Sequence, residues 1–179
     1  MTAAGQPAPE PEGGPLGDLD PEIRLEHALD LAYRHLARRD RTLVEVRRHL
    51  AMRGVDEGTV TRTVRELERQ GYLDDGRYAR RFTEDRRALD DWGAERIEGG
   101  LLSVGVEPEL IADALATRSP GGELEAAVEL LRRRLPAPPR DDRERNRALG
   151  LLARRGYELE VAHDAIRRYE RSAGQPRRD

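Results

Sequence analysis

Cysteine and lysine are both absent from this chain of 179 residues, and each absence removes a class of chemistry. Without cysteine there is no disulfide framework and no thiolate metal site. Without lysine a phosphate loop of the Gly-x4-Gly-Lys-Ser/Thr type cannot exist. The four histidines, His27, His35, His49 and His163, lack the tight spacing of metal-ligand motifs. Aromatics are scarce: Tyr33, Tyr72, Tyr78, Phe82, Trp92, Tyr157 and Tyr169 are the whole supply, which suits thin helical cores and not a thick sandwich. There is no apolar run of about 18 residues, the minimum for a membrane-spanning helix. The N-terminus is acidic and Pro-rich where a signal peptide would be basic and then apolar. A cytoplasmic protein is therefore expected, neither exported nor membrane-bound.

Catalysis finds no support in the residues. The acid pairs Asp74-Asp75, Asp90-Asp91 and Asp141-Asp142 stand at helix starts and junctions, where capping explains them. Ser103, Ser119 and Ser172 have no base in a nucleophile-elbow setting. No catalytic residue, metal, cofactor or small-molecule substrate is expected.

What is present is arginine. The formal net charge is −3, yet all 32 basic residues are Arg. Codon usage in a GC-rich genome produces that bias, and planar bidentate guanidinium groups also serve phosphate or carboxylate partners. Residues 1 to 20 carry four acids and no base, whereas 121 to 179 carry 14 Arg against 11 acids. The C-terminal third is the basic end.

Gly54, Gly105 and Gly156 recur at a constant step of 51 residues, each inside the same apolar frame. Four residues earlier stand Leu50, Leu101 and Leu152; ten later stand Val64, Leu115 and Ile166. Val55, Val106 and Tyr157 follow each glycine directly. Leucine faces the core, glycine closes its helix, and the later apolar residue faces inward from the next helix. A helix-turn-helix core thus recurs three times, and units of that size bury their apolar faces by stacking.

Caps and breakers extend each core to three helices, an all-α chain. Asp20-Pro21 opens a helix to about Arg38, Thr42-x-x-Glu45 a second ending at Gly54, and a third runs from about Thr59 to Gln70. Asp74 to Gly76 start a fourth that Trp92-Gly93 breaks; Ala94 to Val104 and Pro108 to Thr117 follow. Glu123 to Leu135, Asp141 to Arg155 and Glu158 to Arg171 complete nine, with Pro136 to Pro139 as a stiff connector. The expected organisation is a disordered tail over 1–19, repeats over 20–73, 74–120 and 121–171, and a second tail over 172–179.

The stretch from Arg41 to Leu73, with Thr59, Thr61, Arg62 and Arg65 on its second helix, also resembles a winged-helix DNA reader. Against that, a helical pattern follows Leu73 where a wing needs a hairpin, and Glu66 and Glu68 would face phosphates. Arg77, Arg80 and Arg87 share one helix face and with Arg81, Arg132, Arg133, Arg154 and Arg155 form candidate partner contacts; solvated helix faces are the plainer account. Trp92, at a helix junction, either plugs a gap between modules or anchors a partner.

Taken in order, Ala28 to Leu36, Arg39 to Thr42, Val46 to Leu50, Gly71 to Ala79 with Phe82, Gly93 with Arg96, Ile97, Leu101, Gly105, Val106 and Ile111, then Leu152, Arg155 to Tyr157 and Ile166 make the chain resemble the RecX family, regulators of the RecA recombinase. The resemblance spans about residues 22 to 170. It implies an elongated, curved array of three-helix repeats that lies along the RecA filament on single-stranded DNA. There it would most often restrain ATP hydrolysis, strand exchange and coprotease activity in DNA repair and the SOS response, with weak non-specific DNA binding alongside. A winged-helix transcription regulator, and an adaptor for some other polymer, remain the rival readings.

Overall fold

The computed structural model describes residues 20–119 and 121–173, and among them the chain forms nine α-helices and no strand. The expected tails lie outside the described residues except Ser172 and Ala173. They fall into two compact units that divide between Asp74 and Asp75.

The first unit holds α1 (Pro21–Leu36), α2 (Leu43–Met52) and α3 (Glu57–Arg69). Each opens on a side-chain oxygen that accepts from a first-turn amide. Asp20 takes Glu22 N at 2.8 Å, Thr42 takes Glu45 N at 3.2 Å within a complete capping box, and Asp56 takes Thr59 N at 2.9 Å. The Asp56 cap starts α3 at Glu57, two residues before the expected Thr59. Ala28 and Ala32 of α1 present so little bulk that Val46, Leu50, Val60, Val64 and Leu67 close over them into one core.

His35 on α1 and His49 on α2 stack face to face, centroids 3.9 Å apart and planes 4° apart. Burial foremost holds both imidazoles below their ordinary value. The neighbouring ring and Arg41 add to this at His35, Arg53 and Arg41 at His49. A histidine whose native value is lowered binds its proton less readily folded than unfolded. Its stabilisation is therefore complete above the unfolded value of about 6.5 and is lost as pH falls through the native value. The first unit's thermal midpoint is expected to drop on acidification below about pH 6.5, and His35→Gln with His49→Gln to flatten that part of the curve. Parallel curves for the two proteins would exclude the pair as the cause.

The second unit contains α4 (Asp75–Asp90), α5 (Ala94–Ser103), α6 (Pro108–Leu115), α7 (Gly122–Arg134), α8 (Asp142–Arg155) and α9 (Leu159–Ala173). Helix α4 occupies the place where a winged helix would need its hairpin. Helix α9 continues two residues past the expected end, and the Ser172 hydroxyl donates to Tyr169 O at 2.7 Å. Ala79, Ile97, Leu101, Val106, Ile111 and Ala114 form one core among α4 to α6. Another, among α7 to α9, gathers Val128, Leu130, Leu131, Leu152, Ile166 and Tyr169 around small alanines.

The repeated glycines do the same work three times. Gly54, Gly105 and Gly156 have φ of +79°, +83° and +80°, the left-handed region that glycine enters without penalty. Each donates its amide to the carbonyl three residues back, Ala51, Leu102 or Ala153, at 2.9 to 3.0 Å. The amides of Val55, Val106 and Tyr157 reach back to Leu50, Leu101 and Leu152 O, all at 3.2 Å. This is a Schellman closure in which one leucine supplies both the acceptor and the buried contact. Leu50, Leu101 and Leu152 are fully buried, Val64 and Ile166 nearly so, and Leu115 half-buried.

Candidate interaction surface

Within the second unit the turn between α4 and α5 meets the end of α8. Gly93 gives α5 no capping side chain, so the first-turn amides of that helix need acceptors from elsewhere. Gly93 N donates to Arg155 O at 2.8 Å and Glu95 N to Gly156 O at 3.1 Å, while Ala94 N donates to Glu123 Oε1 at 2.9 Å. The carbonyl end of α8 therefore caps the amide end of α5, bringing opposite poles of two helix dipoles together. Two glycines permit this approach. A Cβ on Gly93 would lie 2.7 Å from Tyr157 N, and one on Gly156 would lie 2.5 Å from Arg96 N.

Arginines fasten the same joint. Arg96 Nη1 donates to Arg154 O at 2.6 Å, and the Arg155 guanidinium donates to Asp90 O. Arg133 Nη2 meets Asp91 Oδ1 at 2.5 Å, which holds Asp91 at φ +55° despite its side chain. Arg118 pairs with Glu123 at 2.6 Å, fixing the carboxylate that caps Ala94. Tyr157 is buried beside this cluster, and its hydroxyl is pushed up to about 12, by burial first and then by Glu123.

The candidate residues divide accordingly. Arg87 turns onto the end of α6, donating to Leu115 O at 2.9 Å and Thr117 Oγ1 at 3.1 Å, and its burial pulls its pKa down. Trp92 packs into its own module: Phe82 meets it edge-on at 6.2 Å, and the Arg96 and Arg86 guanidinium groups lie 4.4 and 5.1 Å from its ring centre. With Arg133 and Arg155, these side chains are engaged inside the unit. Arg77, Arg80 and Arg81 on α4, Arg132 on α7 and Arg154 on α8 are exposed. Arg132 lies 3.7 Å from Glu129, a solvated pair of little energetic weight. Asp91, Arg96 and Glu123 were not among the sequence candidates, because nothing in the periodicity links 91–96 to 123 or 156.

Among the described residues no group of three or more histidine and carboxylate side chains is placed to hold a metal ion, and no helix is long and apolar enough to cross a membrane. What the second unit offers is outward-facing guanidinium groups on two three-helix modules joined within one compact unit.

Family comparisons match that organisation piece by piece. Residues 28–67 match the model described as RecX, first three-helix domain, 74–115 the second, and 122–166 the third. The regulatory protein RecX of Mycolicibacterium smegmatis is 32% identical over 165 residues, covering 88% of each chain. The chain belongs to the RecX family. The RecX of Amycolatopsis mediterranei is 31% identical over 162 residues, 89% of this chain and 93% of that one, and the RecX of Leptothrix cholodnii 36% identical over 137 residues, 76% and 85%. A crystal structure of RecX from Lactobacillus salivarius has a TM-score of 0.74 at 18% identity, covering 83% of this chain and 98% of that one. These relatives bear the name of regulatory proteins, and a regulatory role comes with membership of the family. In RecX terms, α1 to α3 carry the first domain's match, α4 to α6 the second and α7 to α9 the third. The glycine joint lies between the second and third.

Proposed function

We propose that this chain is a non-enzymatic, cytoplasmic regulator that binds the RecA filament on single-stranded DNA and restrains its ATP hydrolysis, strand exchange and coprotease activity in DNA repair and the SOS response. The observation that carries this reading is the threefold Schellman-closed module in a member of the RecX family. Tandem modules can engage neighbouring protomers of a polymer, and linked modest contacts gain avidity without any one being strong. Exposed arginines favour an acidic or phosphate-bearing target and steer the encounter electrostatically. Arg77, Arg80, Arg81, Arg132 and Arg154 are the contacts this reading favours; Trp92, Arg87, Arg133 and Arg155 support the modules that present them.

The test is a titration of the protein into RecA assembled on single-stranded DNA, with ATP hydrolysis as the readout. Hydrolysis is expected to fall at protein levels well below that of RecA. A rate that stays flat up to a stoichiometric excess would end the proposal, and selective binding to one duplex sequence would point to a transcription factor.

A further inference from the structure

The second and third modules each fill their core with residues of their own. Ile97, Leu101 and Ile111 belong to the one, and Val128, Leu131 and Leu152 to the other. Even the aromatics beside the joint keep to this division, Trp92 packing into the second core and Tyr157 into the third. The contacts that cross between the modules are hydrogen bonds and ion pairs. A small, polar interface of that kind leaves relative motion as the default, unless particular contacts are placed to stop it.

Of the adjacent acids at the end of α4, Asp90 stays within its own module and accepts from Arg86 at 2.6 Å, whereas Asp91 reaches across to the last turn of α7. Its carboxylate meets Arg133 Nη2 at 2.5 Å and Arg134 Nη2 at 4.0 Å. The first-turn amides of α5 go to Arg155 O, Glu123 and Gly156 O, so neither acid caps that helix. The Asp91 side chain is 14% exposed against 52% and 54% for the two arginines, so a carboxylate largely withdrawn from water depends on their guanidinium groups. Among the described residues Asp91 is also the one residue other than glycine at positive φ, +55°. Aspartate tolerates that region better than most, but the strain persists only where the surroundings over-determine it. Another ion pair across the boundary, Arg118 with Glu123, joins residues five apart beside the covalent link and restrains rotation little; Asp91 and Arg133 stand 42 residues apart.

We infer that Asp91 is a positioning residue: held by Arg133 and Arg134, its carboxylate sets the orientation of the third module on the second, and the regulatory activity depends on that setting. Successive residues of a helix project in different directions, so the two guanidinium groups grip one carboxylate from two sides. Arg155 of α8 donates to Asp90 O beside it. The same turn is thus fastened to two helices of the third module, α7 and α8, and cannot pivot about either one alone. Charge-assisted hydrogen bonds are directional, which makes them suited to fixing an angle. Linked modules gain avidity only where their geometry lets them engage together, so an array that grips a polymer needs that angle held. The dependence of activity on the setting rests on the filament reading; the setting itself does not.

Because the chain has no cysteine, Ala112→Cys on α6 and Arg171→Cys on α9, both at exposed positions, take one spin label each. Double electron–electron resonance then reads the distance between the two modules in the full-length protein, and one narrow distribution is expected. Asp91→Asn removes the charge but keeps a side chain that tolerates the left-handed turn. It should broaden the distribution or add a second population while circular dichroism stays native. Arg133→Gln with Arg134→Gln should do the same from the other side, and joining all three changes should add nothing further. Arg167→Gln, whose partner Asp164 lies on α9 itself, is the control and should match the parent. In the RecA titration, the level needed for half-maximal restraint of ATP hydrolysis should rise roughly fivefold or more for Asp91→Asn and stay put for Arg167→Gln. An unchanged distribution in folded Asp91→Asn, or further broadening when the arginine changes are added to it, overturns the clamp. A broadened distribution with undiminished restraint overturns its regulatory role. Failure of the wild type to restrain hydrolysis counts against the filament reading instead, and the label distances still decide the clamp.

Discussion

Gly156→Ala is expected to destabilise the second unit by on the order of 4 kcal/mol, whereas Gly54→Ala, at the equivalent repeat position, should cost the first unit about 1 to 2 kcal/mol. Both glycines sit near φ +80°, so both substitutions pay the left-handed penalty of an L-residue. The surroundings then separate them. Nothing lies within 4 Å of a Cβ on Gly54, while a Cβ on Gly156 runs into the backbone of Arg96. To admit it, the end of α8 must move off α5, releasing Gly93 N and Glu95 N from Arg155 O and Gly156 O and pulling Arg96 from Arg154 O. Trp92 is the sole tryptophan, it packs beside this joint, and its fluorescence reports the second unit during urea unfolding. Amide exchange at Gly93 and Glu95 gives an independent reading and should rise sharply in Gly156→Ala. Equal losses of stability at positions 54 and 156 would show that the close approach carries no energy of its own.

Leu152→Ala ranks second. The side chain is fully buried among Val128, Leu131 and Ile166, and its carbonyl closes the Schellman turn at Tyr157. Removing it leaves a cavity in a small core, with an expected cost of about 2 to 5 kcal/mol, whereas the near-isosteric Leu152→Met should cost under about 1.5 kcal/mol. Thermal unfolding of both variants followed by circular dichroism checks this. A loss for Leu152→Ala no greater than that for Leu152→Met would mean that the surrounding helices collapse to fill the space. Leu115, half-buried at the end of α6, should yield a smaller loss on the same truncation.

The module could be read in the sequence because its determinants are local. Leu50, Gly54 and Val55 lie within six residues, and the bonds they make recur at Leu101 and Leu152 because each depends only on the residues beside it. Caps at Asp20, Thr42, Asp56 and Asp141 are equally local, and helix ends departed from expectation by two residues or so where a neighbouring cap outweighed propensity. The joint is different. Its partners, Gly93 with Arg155 and Ala94 with Glu123, are far apart in sequence and follow no period, so nothing short of tertiary structure pairs them. Arg133 and Arg155 looked like surface charge for the same reason, since runs of adjacent arginines do not say which member points inward.

The borrowed cap on α5 bears on how the protein is made. Ala94 leaves the ribosome 62 residues before Gly156, by subtraction of their positions. At a synthesis rate of about 5 to 20 residues per second, that interval lasts roughly 3 to 12 seconds. Throughout it the first turn of α5 has no acceptor from the end of α8. The nascent middle of the chain therefore waits, with one frayed helix end, for a segment that has not yet been translated.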